Sequence, residues 1–376
     1  MQRHLPGAGR GEQVDRGEFG YLCIYFPVEV VMAAGYRPVR LLPAAPAPSG
    51  GMLPPFLCAP VRAYLASALA GEYRHVAGVG ITHACDAMQC LAQAWRVLVN
   101  EPPLFLLMFP TRRDNAALGR LAAELRDLGA RLPVPVRESA LIEAIAEARA
   151  RRRRVQEVLR RRGDLQPEAV WRVLSQPWTA AGVDAGGGAG GGALAAAETG
   201  SGSVARIVLS GSVLSSPRLL EMVSEAGGTV VGDDLCSGER GLGAPLPAPP
   251  DGGTAPHDGE SAVQGHALGD PWGVLARQYL DMPPCPCRHP SPAERVRHLL
   301  ELVAARRARG VILLREKFCD PHRWEDHAIM GELRQRGIAV LELETEAGAV
   351  AGERDLTRLQ AFLETLEAGP GARGEW

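Results

Sequence analysis

Three cysteines of the chain each lie in a short motif of a different sequence. Cys58 lies in Phe-Leu-Cys-Ala-Pro-Val-Arg, Cys85 in His-Ala-Cys-Asp-Ala-Met-Gln and Cys319 in Glu-Lys-Phe-Cys-Asp-Pro-His. Thiolates hold iron–sulfur clusters, and a [4Fe–4S] cube with three of them keeps one open iron that can polarise a substrate oxygen while a single electron passes. The three cysteines therefore favour an enzyme over a scaffold. The alternative is burial as small apolar side chains, which is common for unpaired cysteine.

Five further cysteines have weaker local signals. Cys285 and Cys287 form a Cys-Pro-Cys motif, which suggests zinc, but no second pair with zinc-ligand spacing accompanies it. The role of Cys236 stays open. Cys23 and Cys90 lie on predicted apolar faces, so we expect them to be packing residues.

Two polar residues are candidates for catalysis. His322 follows Cys319 by three positions and could transfer a proton or contact a cluster, although a single histidine is more often structural. Glu29 comes just after Pro27 and could act in the site. It could equally favour the positive end of the helix that Pro27 begins.

Composition and charge indicate a globular protein. The chain has 376 residues, 46% of them hydrophobic and 22% charged, which is enough for two domains with filled cores. The net charge of −2 gives no global basic field, so we expect neither nucleic acid nor an anionic membrane as partner. The arginine-rich stretch 149–162 predicts a solvated helix face, with an RNA or phosphate patch as the alternative.

Targeting signals are not evident. No apolar run approaches the roughly 18 to 20 residues that span a bilayer, and residues 1–20 do not resemble a secretory signal. Eight cysteines are too few for a disulfide framework in a chain of this length. We therefore expect the protein in the cytoplasm.

The order of elements predicts parallel α/β sheets, because strands alternate with helices. A βαβ unit is expected from Tyr21, with its helix starting at Pro27 and stopping at Gly35. The other predicted strands are 76–81, 104–109, 205–210, 229–231, 311–314 and 338–343, and the other predicted helices are 86–99, 114–129, 137–162, 216–226, 291–309, 324–336 and 353–366.

Two α/β halves follow from this order, separated by a glycine-rich segment that we interpret as a flexible insertion. The predicted parts are a flexible arm at 1–18, a first α/β domain at 19–179, an insertion at 180–203 and a second α/β domain at 204–376 with a disordered insertion near 243–268.

The cysteines are expected to meet at the edges of these sheets. Cys85, Cys236 and Cys319 each follow a predicted strand within a few residues. Ligands of parallel sheets collect at the carboxyl ends of the strands. We therefore expect a shared cleft between the two halves.

Five motifs occur in order along the chain and together carry a family resemblance. They are Phe26-Pro-Val-Glu-Val-Val-Met-Ala-Ala-Gly-Tyr, Cys85-Asp-Ala-Met, Gly232-Asp-Asp-Leu-Cys-Ser-Gly-Glu-Arg, Pro284-Cys-Pro-Cys and Lys317-Phe-Cys-Asp-Pro-His. The set resembles the 2-hydroxyacyl-CoA dehydratase family, whose relatives include benzoyl-CoA reductase subunits and double-cubane cluster proteins. The similarity covers about Tyr21 to Glu367.

The resemblance implies two flavodoxin-like parallel-sheet domains with a [4Fe–4S] cluster in the cleft between them. Cys58, Cys85 and Cys319 would be its ligands. In the family, an ATP-dependent activator protein injects one electron, a ketyl radical forms on the acyl-CoA thioester and a hydroxyl group leaves. A paralogous sister subunit would complete the enzyme.

Alternatives remain open within the resemblance. Cys236, Cys285 and Cys287 could supply thiolates for a double-cubane [8Fe–9S] cluster, as in a homodimeric reductase of small molecules. A third possibility is a non-catalytic partner subunit that relays electrons. Arg240 could bind a phosphate of coenzyme A, since guanidinium binds phosphate in two-pronged fashion, or pair with an aspartate of its own motif. No G-x-G-x-x-G motif is present to indicate a nicotinamide cofactor.

Overall fold

The computed structural model of the chain describes residues 16–43, 52–175, 178, 205–243, 270–288, 291–346, 349–350 and 352–367. The insertion predicted at 180–203 lies outside these residues. So do residues 1–15 of the predicted arm and, apart from Gly243, the insertion predicted near 243–268.

Two parallel sheets form the framework. Their strands are β1 (Glu18–Tyr21), β2 (Arg37–Arg40), β3 (Val79–Thr82), β4 (Leu104–Leu107), β5 (Ala205–Gly211), β6 (Gly228–Asp234), β7 (Gly310–Glu316), β8 (Ala339–Glu346) and β9 (Ala349–Val350). The first sheet has the order β2-β1-β3-β4, and the second has the order β6-β5-β7-β8, extended by β9. All pairs are parallel except β8 with β9. The predicted fold of two flavodoxin-like domains is confirmed.

Helices cover the sheets, and so strands such as β3 are buried on both faces. The helices are α1 (Val28–Ala33), α2 (Ala59–Leu69), α3 (Asp86–Leu98), α4 (Asn115–Arg131), α5 (Glu138–Arg160), α6 (Pro167–Ser175), α7 (Arg218–Glu225), α8 (Pro271–Leu280), α9 (Pro292–Ala305), α10 (Asp320–Gln335) and α11 (Gly352–Glu367). Among the described residues, none of these helices is long and apolar enough to cross a bilayer.

Helices pack on both faces of each sheet. In the first domain, one core joins β1 and β4 to α1, α4, the start of α5 and α8, while the other joins β3 to α2 and α3. In the second domain, one core joins β5 and β7 to the end of α5, α6, α7 and α11, while the other joins the same sheet to α9 and α10.

Two helices link the halves of the chain. The first part of α5 contributes Leu141 and Ile145 to the first domain, and its last part contributes Val155 and Leu159 to the second. Helix α8 lies late in the sequence but packs in the first domain. The two domains are therefore held together by continuous secondary structure and by a returning segment.

Local differences from the predicted elements are small. Strand β1 ends where the predicted strand begins, and residues 23–26 form a turn in which Phe26 N–H donates to the Cys23 carbonyl at 3.0 Å. Gly35 ends the first βα unit with φ of +86°, as its predicted role requires. Helix α10 begins at Asp320 rather than near 324, because an acidic residue and a proline both suit a first turn.

Candidate functional site

The three predicted cluster cysteines each occupy the N-cap of a helix. Cys58 precedes α2, Cys85 precedes α3 and Cys319 precedes α10. Cys85 follows the carboxyl end of β3, and Cys319 follows that of β7, so the two domains both contribute. A helix amino terminus carries partial positive charge and favours anions. Three such termini therefore favour negative charge at these thiols.

Mutual electrostatic effects show that the three thiols are neighbours. Burial raises the pKa of Cys58 to about 12, and the nearby Cys85 adds to the rise. Burial also raises the pKa of Cys319, and Cys58 and Cys85 both add to it. Without a counter-charge these buried thiols stay protonated, and a cationic iron centre is what converts such thiols to thiolates.

Backbone amides support the sulfur atoms. The cysteines form no conventional capping hydrogen bond. The N–H groups of Val61, Met88 and His322, each three residues beyond its cysteine, still lie close enough to lower the thiol pKa. Hydrogen bonds to sulfur are one of the means by which proteins set cluster potentials.

A second set of thiols adjoins the first. The neighbouring Cys287 thiol lowers the pKa of Cys85 to about 7, against the opposing effect of burial. Hydrogen bonds from Cys236 and Cys287 hold the pKa of Cys285 well below its usual value. A continuous chain of thiols thus runs from Cys236 through Cys285 and Cys287 to Cys85.

The two remaining cysteines lie apart from the N-caps. Cys23 packs against the core of the first domain, and burial raises its pKa. Cys90 is exposed on α3, so its prediction as a packing residue is wrong.

A cluster and a single metal ion need different arrangements of ligands. In the part of the chain that the structure describes, no three His, Cys, Asp or Glu side chains are arranged to hold one metal ion. In a cube, each thiolate binds a different iron, so its ligands surround a volume and do not meet at a point. Cys58, Cys85 and Cys319, on three separate helix N-caps, offer thiol donors of the type that such a cluster takes.

The Cys-Pro-Cys segment is held in place by the arginine that follows it. Arg288 is buried and donates through Nη1 to the Phe109 carbonyl at 2.6 Å, and through Nη2 to the His83 carbonyl. Phe109 and His83 lie just beyond β4 and β3. The arginine therefore ties Cys285 and Cys287 to the strand ends that carry Cys85.

Glu29 is fully buried in a hydrogen-bonded ion pair. Its Oε1 accepts from Arg152 at 2.5 Å and from Gln278 at 2.7 Å, and its Oε2 accepts from the Tyr279 hydroxyl at 2.8 Å. Burial alone would raise the pKa of Glu29, but Arg152 and these hydrogen bonds bring it below the usual value. The carboxylate is ionised, and both of its oxygens accept hydrogen bonds within the protein.

His322 lies in the first turn of α10 and is buried. Burial lowers its pKa to about 3, and the nearby cations Arg295 and Arg240 contribute to the fall. The imidazole is therefore neutral at physiological pH. A neutral imidazole can accept or donate a hydrogen bond.

Arg240 is buried inside a network of its own domain. Its Nε donates to Asp234 Oδ1 at 2.7 Å, and its Nη1 donates to the Cys236 sulfur at 3.3 Å. Arg295 reaches the second oxygen of Asp234 at 3.3 Å. Burial would raise the pKa of Asp234, but the two guanidinium groups hold it well below its usual range. Of the two predicted uses of Arg240, the structure shows the ion pair.

Glu325 is a candidate that the sequence analysis missed. It follows His322 by one helical turn and pairs with Arg295 Nε at 2.8 Å. Burial raises its pKa to about 7, against the lowering effect of Arg295. The three-residue spacing places His322 and Glu325 on one face of α10. This spacing was the sequence signal that could have identified Glu325.

Comparison with known proteins decides the family. A sequence model described as 2-hydroxyglutaryl-CoA dehydratase, D-component, matches residues 23–366. The chain belongs to this family. The family resemblance and the kind of enzyme predicted from the five motifs are therefore confirmed.

Two relatives of the dehydratase family align along nearly the whole chain. The lactoyl-CoA dehydratase subunit beta of Anaerotignum propionicum is 24% identical over 373 aligned positions, which cover 94% of this chain and 93% of the relative. The (R)-phenyllactyl-CoA dehydratase beta subunit of Clostridium sporogenes is 23% identical over 368, with the same coverage of 94% and 93%.

Proposed function

We propose that this dehydratase-family chain is the iron–sulfur subunit of a 2-hydroxyacyl-CoA dehydratase-like enzyme, with a [4Fe–4S] cluster held by Cys58, Cys85 and Cys319. The placement of these three neighbouring thiols at three helix N-caps, drawn from both domains, carries the proposal. The relatives support the substrate class, because their names refer to CoA thioesters of 2-hydroxy acids. A benzoyl-CoA reductase-like reaction on another thioester uses the same kind of subunit.

When bound, the cluster supplies one-electron transfer to the thioester and an open iron for a substrate oxygen. The chain's own residues prepare the site. Helix amino termini and backbone N–H groups favour thiolates, and the partial burial of Cys58 and Cys319 limits their contact with water.

In this proposal, residues of α10 take part in proton transfer. Glu325, with its pKa of about 7, can hold or release a proton at neutral pH. His322 is a neutral hydrogen-bonding group beside it, and Glu29 orients Arg152 and Tyr279. A contact between Arg240 and coenzyme A would need this arginine to exchange its ion pair with Asp234.

Two protein partners complete the proposed enzyme. Both relatives are named as beta subunits, which supports assembly with a paralogous sister subunit. An ATP-dependent activator protein would deliver the electron, as the family resemblance implies. We propose that the enzyme works in the cytoplasm, where cysteine thiols stay reduced.

Iron analysis of strictly anaerobic protein tests the proposal. We expect about four irons per chain and a brown colour. Cys58→Ala, Cys85→Ala and Cys319→Ala should each lose most of this iron. Cys90→Ala is the matched control, because Cys90 is exposed on the helix that Cys85 caps, and it should retain the iron. Colourless wild-type protein containing zinc would contradict the proposal.

A second candidate is a double-cubane [8Fe–9S] reductase. The observation that favours it is the chain of thiols from Cys236 through Cys285 and Cys287 to Cys85, which doubles the number of available ligands. The iron content distinguishes the two, since a double cubane has about twice the iron of a single cube.

A further inference from the structure

Arg295 is a buried cation that contacts two carboxylates on different elements. It lies in the first turn of α9 and is 2% exposed. Its Nε is 2.8 Å from Glu325 Oε2 on α10, and its Nη2 is 3.3 Å from Asp234 Oδ2 at the end of β6. A buried charge is tolerated only when it is paired, so these carboxylates are what keeps the guanidinium in place.

Two neutral groups complete the surroundings of Arg295. Its Nη1 donates to the Pro284 carbonyl at 3.4 Å, and its Nη2 donates to the Ser210 hydroxyl at 3.4 Å. Pro284 directly precedes Cys285 in the Cys-Pro-Cys segment, and Ser210 lies near the end of β5. Arg295 therefore connects the carboxylate on α10 to this segment and to the strand ends of the second sheet.

The two carboxylates depend on Arg295 to different degrees. Asp234 has a second cation, because Arg240 Nε lies 2.7 Å from its Oδ1. In the part of the chain that the structure describes, Glu325 has Arg295 as its one ion-pair partner. The charge of Glu325 is therefore balanced by this single contact, whereas that of Asp234 is balanced twice.

The groups that face Glu325 from neighbouring elements act in opposite directions. Burial raises the pKa of Glu325 to about 7, and Arg295 is the largest influence that lowers it. Cys285 and Asp234 add to the rise, and Arg240 adds to the fall. Removal of the Arg295 charge would thus leave a buried carboxyl whose closest charged neighbour is missing.

The helix that carries Glu325 supplies no replacement for this charge. Burial lowers the pKa of His322 to about 3, so its imidazole is neutral at physiological pH. Asp326 is itself acidic and pairs with Arg315 Nε at 3.0 Å. Arg295, on α9, is left as the group that balances Glu325.

We propose that Arg295 is the positioning residue for proton transfer by Glu325: it holds the carboxylate close to the Cys-Pro-Cys segment and balances its charge when the proton leaves. The inference rests on the proposed dehydratase function, in which Glu325 holds or releases a proton. When the O–H bond of the carboxyl breaks, the electron pair stays on oxygen, and the guanidinium 2.8 Å away stabilises the resulting anion.

Infrared titration of the full chain tests this role, because protonated and ionised carboxyl groups absorb at different frequencies. The band of Glu325 is identified by its loss in Glu325→Gln. We expect Arg295→Gln to raise the pKa of Glu325 by about one unit or more, a tenfold higher proton affinity, since an arginine beside a carboxyl lowers its pKa by a similar amount.

Arg315→Gln is the matched control, because Arg315 pairs with the carboxyl group next along α10. It should raise the pKa of Asp326 and leave that of Glu325 nearly unchanged. If Arg295→Gln does not fold, Arg295→Lys replaces it. Lysine keeps the charge but lacks the planar fork that contacts two carboxylates, so a smaller rise in the pKa of Glu325 is expected.

The pH dependence of turnover gives a second readout in the assembled enzyme. Arg295→Gln should move the profile to higher pH, whereas a purely structural role would lower turnover equally at every pH. The inference is overturned if Glu325 titrates at the same pH in wild type and in the Arg295 variant, or if Arg315→Gln shifts it equally. Failure of the dehydratase proposal would appear separately, in the iron content of wild type, because the infrared titration needs no iron.

Discussion

At the scale of single residues, the six clustered cysteines have unequal surroundings. Cys58, Cys85 and Cys319 are helix N-caps with backbone N–H groups close to their sulfur atoms. Cys236, Cys285 and Cys287 lie in turns and interact mainly with one another. The first three therefore have backbone donors close to sulfur at three separate helix termini, whereas the second three depend on one another.

This difference predicts the outcome of removing the second set. Cys236→Ser, Cys285→Ser and Cys287→Ser should each retain most of about four irons per chain, because a single cube keeps its three N-cap thiolates. The measurement is iron and sulfide content of anaerobic protein, with electron paramagnetic resonance of the reduced state.

The opposite result has a clear meaning. Near-complete loss of iron in all three serine variants would favour the double cubane, whose ligands include both sets. A loss confined to Cys287→Ser would point instead to its contact with Cys85.

The ion pair of Arg240 could be predicted from the sequence only in part. The sequence left Asp233 and Asp234 as equal partners, but neighbouring residues of a strand point to opposite faces. The structure pairs Asp234 with Arg240, while Asp233 pairs with the buried Arg162, two residues beyond the end of α5. No local pattern could identify Arg162, because the contact joins separate segments of the chain.

At the scale of elements, the sequence correctly predicted α5 as a helix. That α5 contributes to the cores of both domains could not be predicted. Its apolar pattern continues along the helix, and periodicity reports a buried face without naming the partner. The structure assigns Leu141 and Ile145 to the first core and Val155 and Leu159 to the second. Helix α5 thus fixes how the two domains lie together.

Breaking α5 between the two cores should therefore affect both domains. Arg153 is exposed at that point. Arg153→Pro removes a helix hydrogen bond and clashes with the preceding turn, which costs about 3 kcal/mol or more. We expect a lower free energy of unfolding in urea and less bound iron, since Cys58 and Cys85 belong to one domain and Cys319 to the other.

Arg153→Ala is the control for this change. Alanine favours the helix and the site is exposed, so the free energy of unfolding should change by less than about 0.5 kcal/mol. Equal stability of the proline and alanine variants would show that α5 does not couple the domains.

At the scale of the whole molecule, the sequence predicted two α/β halves. In the structure, the strand order of both sheets follows the flavodoxin-like pattern. The return of α8 to the first domain was not predicted. Trp272 is buried there with Arg126 of α4 over its ring, and Tyr279 donates to Glu29 at 2.8 Å. Such long-range packing depends on the complementary surfaces of two distant segments, which no local pattern records.

The glycine-rich segment gives the last prediction, at the same scale. Its flanks, α6 and β5, are anchored in the second core through Leu174 and Ala205. Deleting Ala185 to Ala197 shortens a connection between fixed ends, and halving a loop changes its closure free energy by only about 0.6 kcal/mol. We expect nearly unchanged unfolding in urea and unchanged iron content. Trp272→Ala, which empties part of a core, should lower stability by about 3–5 kcal/mol in the same assay. If the deletion matches that loss, the segment packs against the folded protein and contributes to its stability.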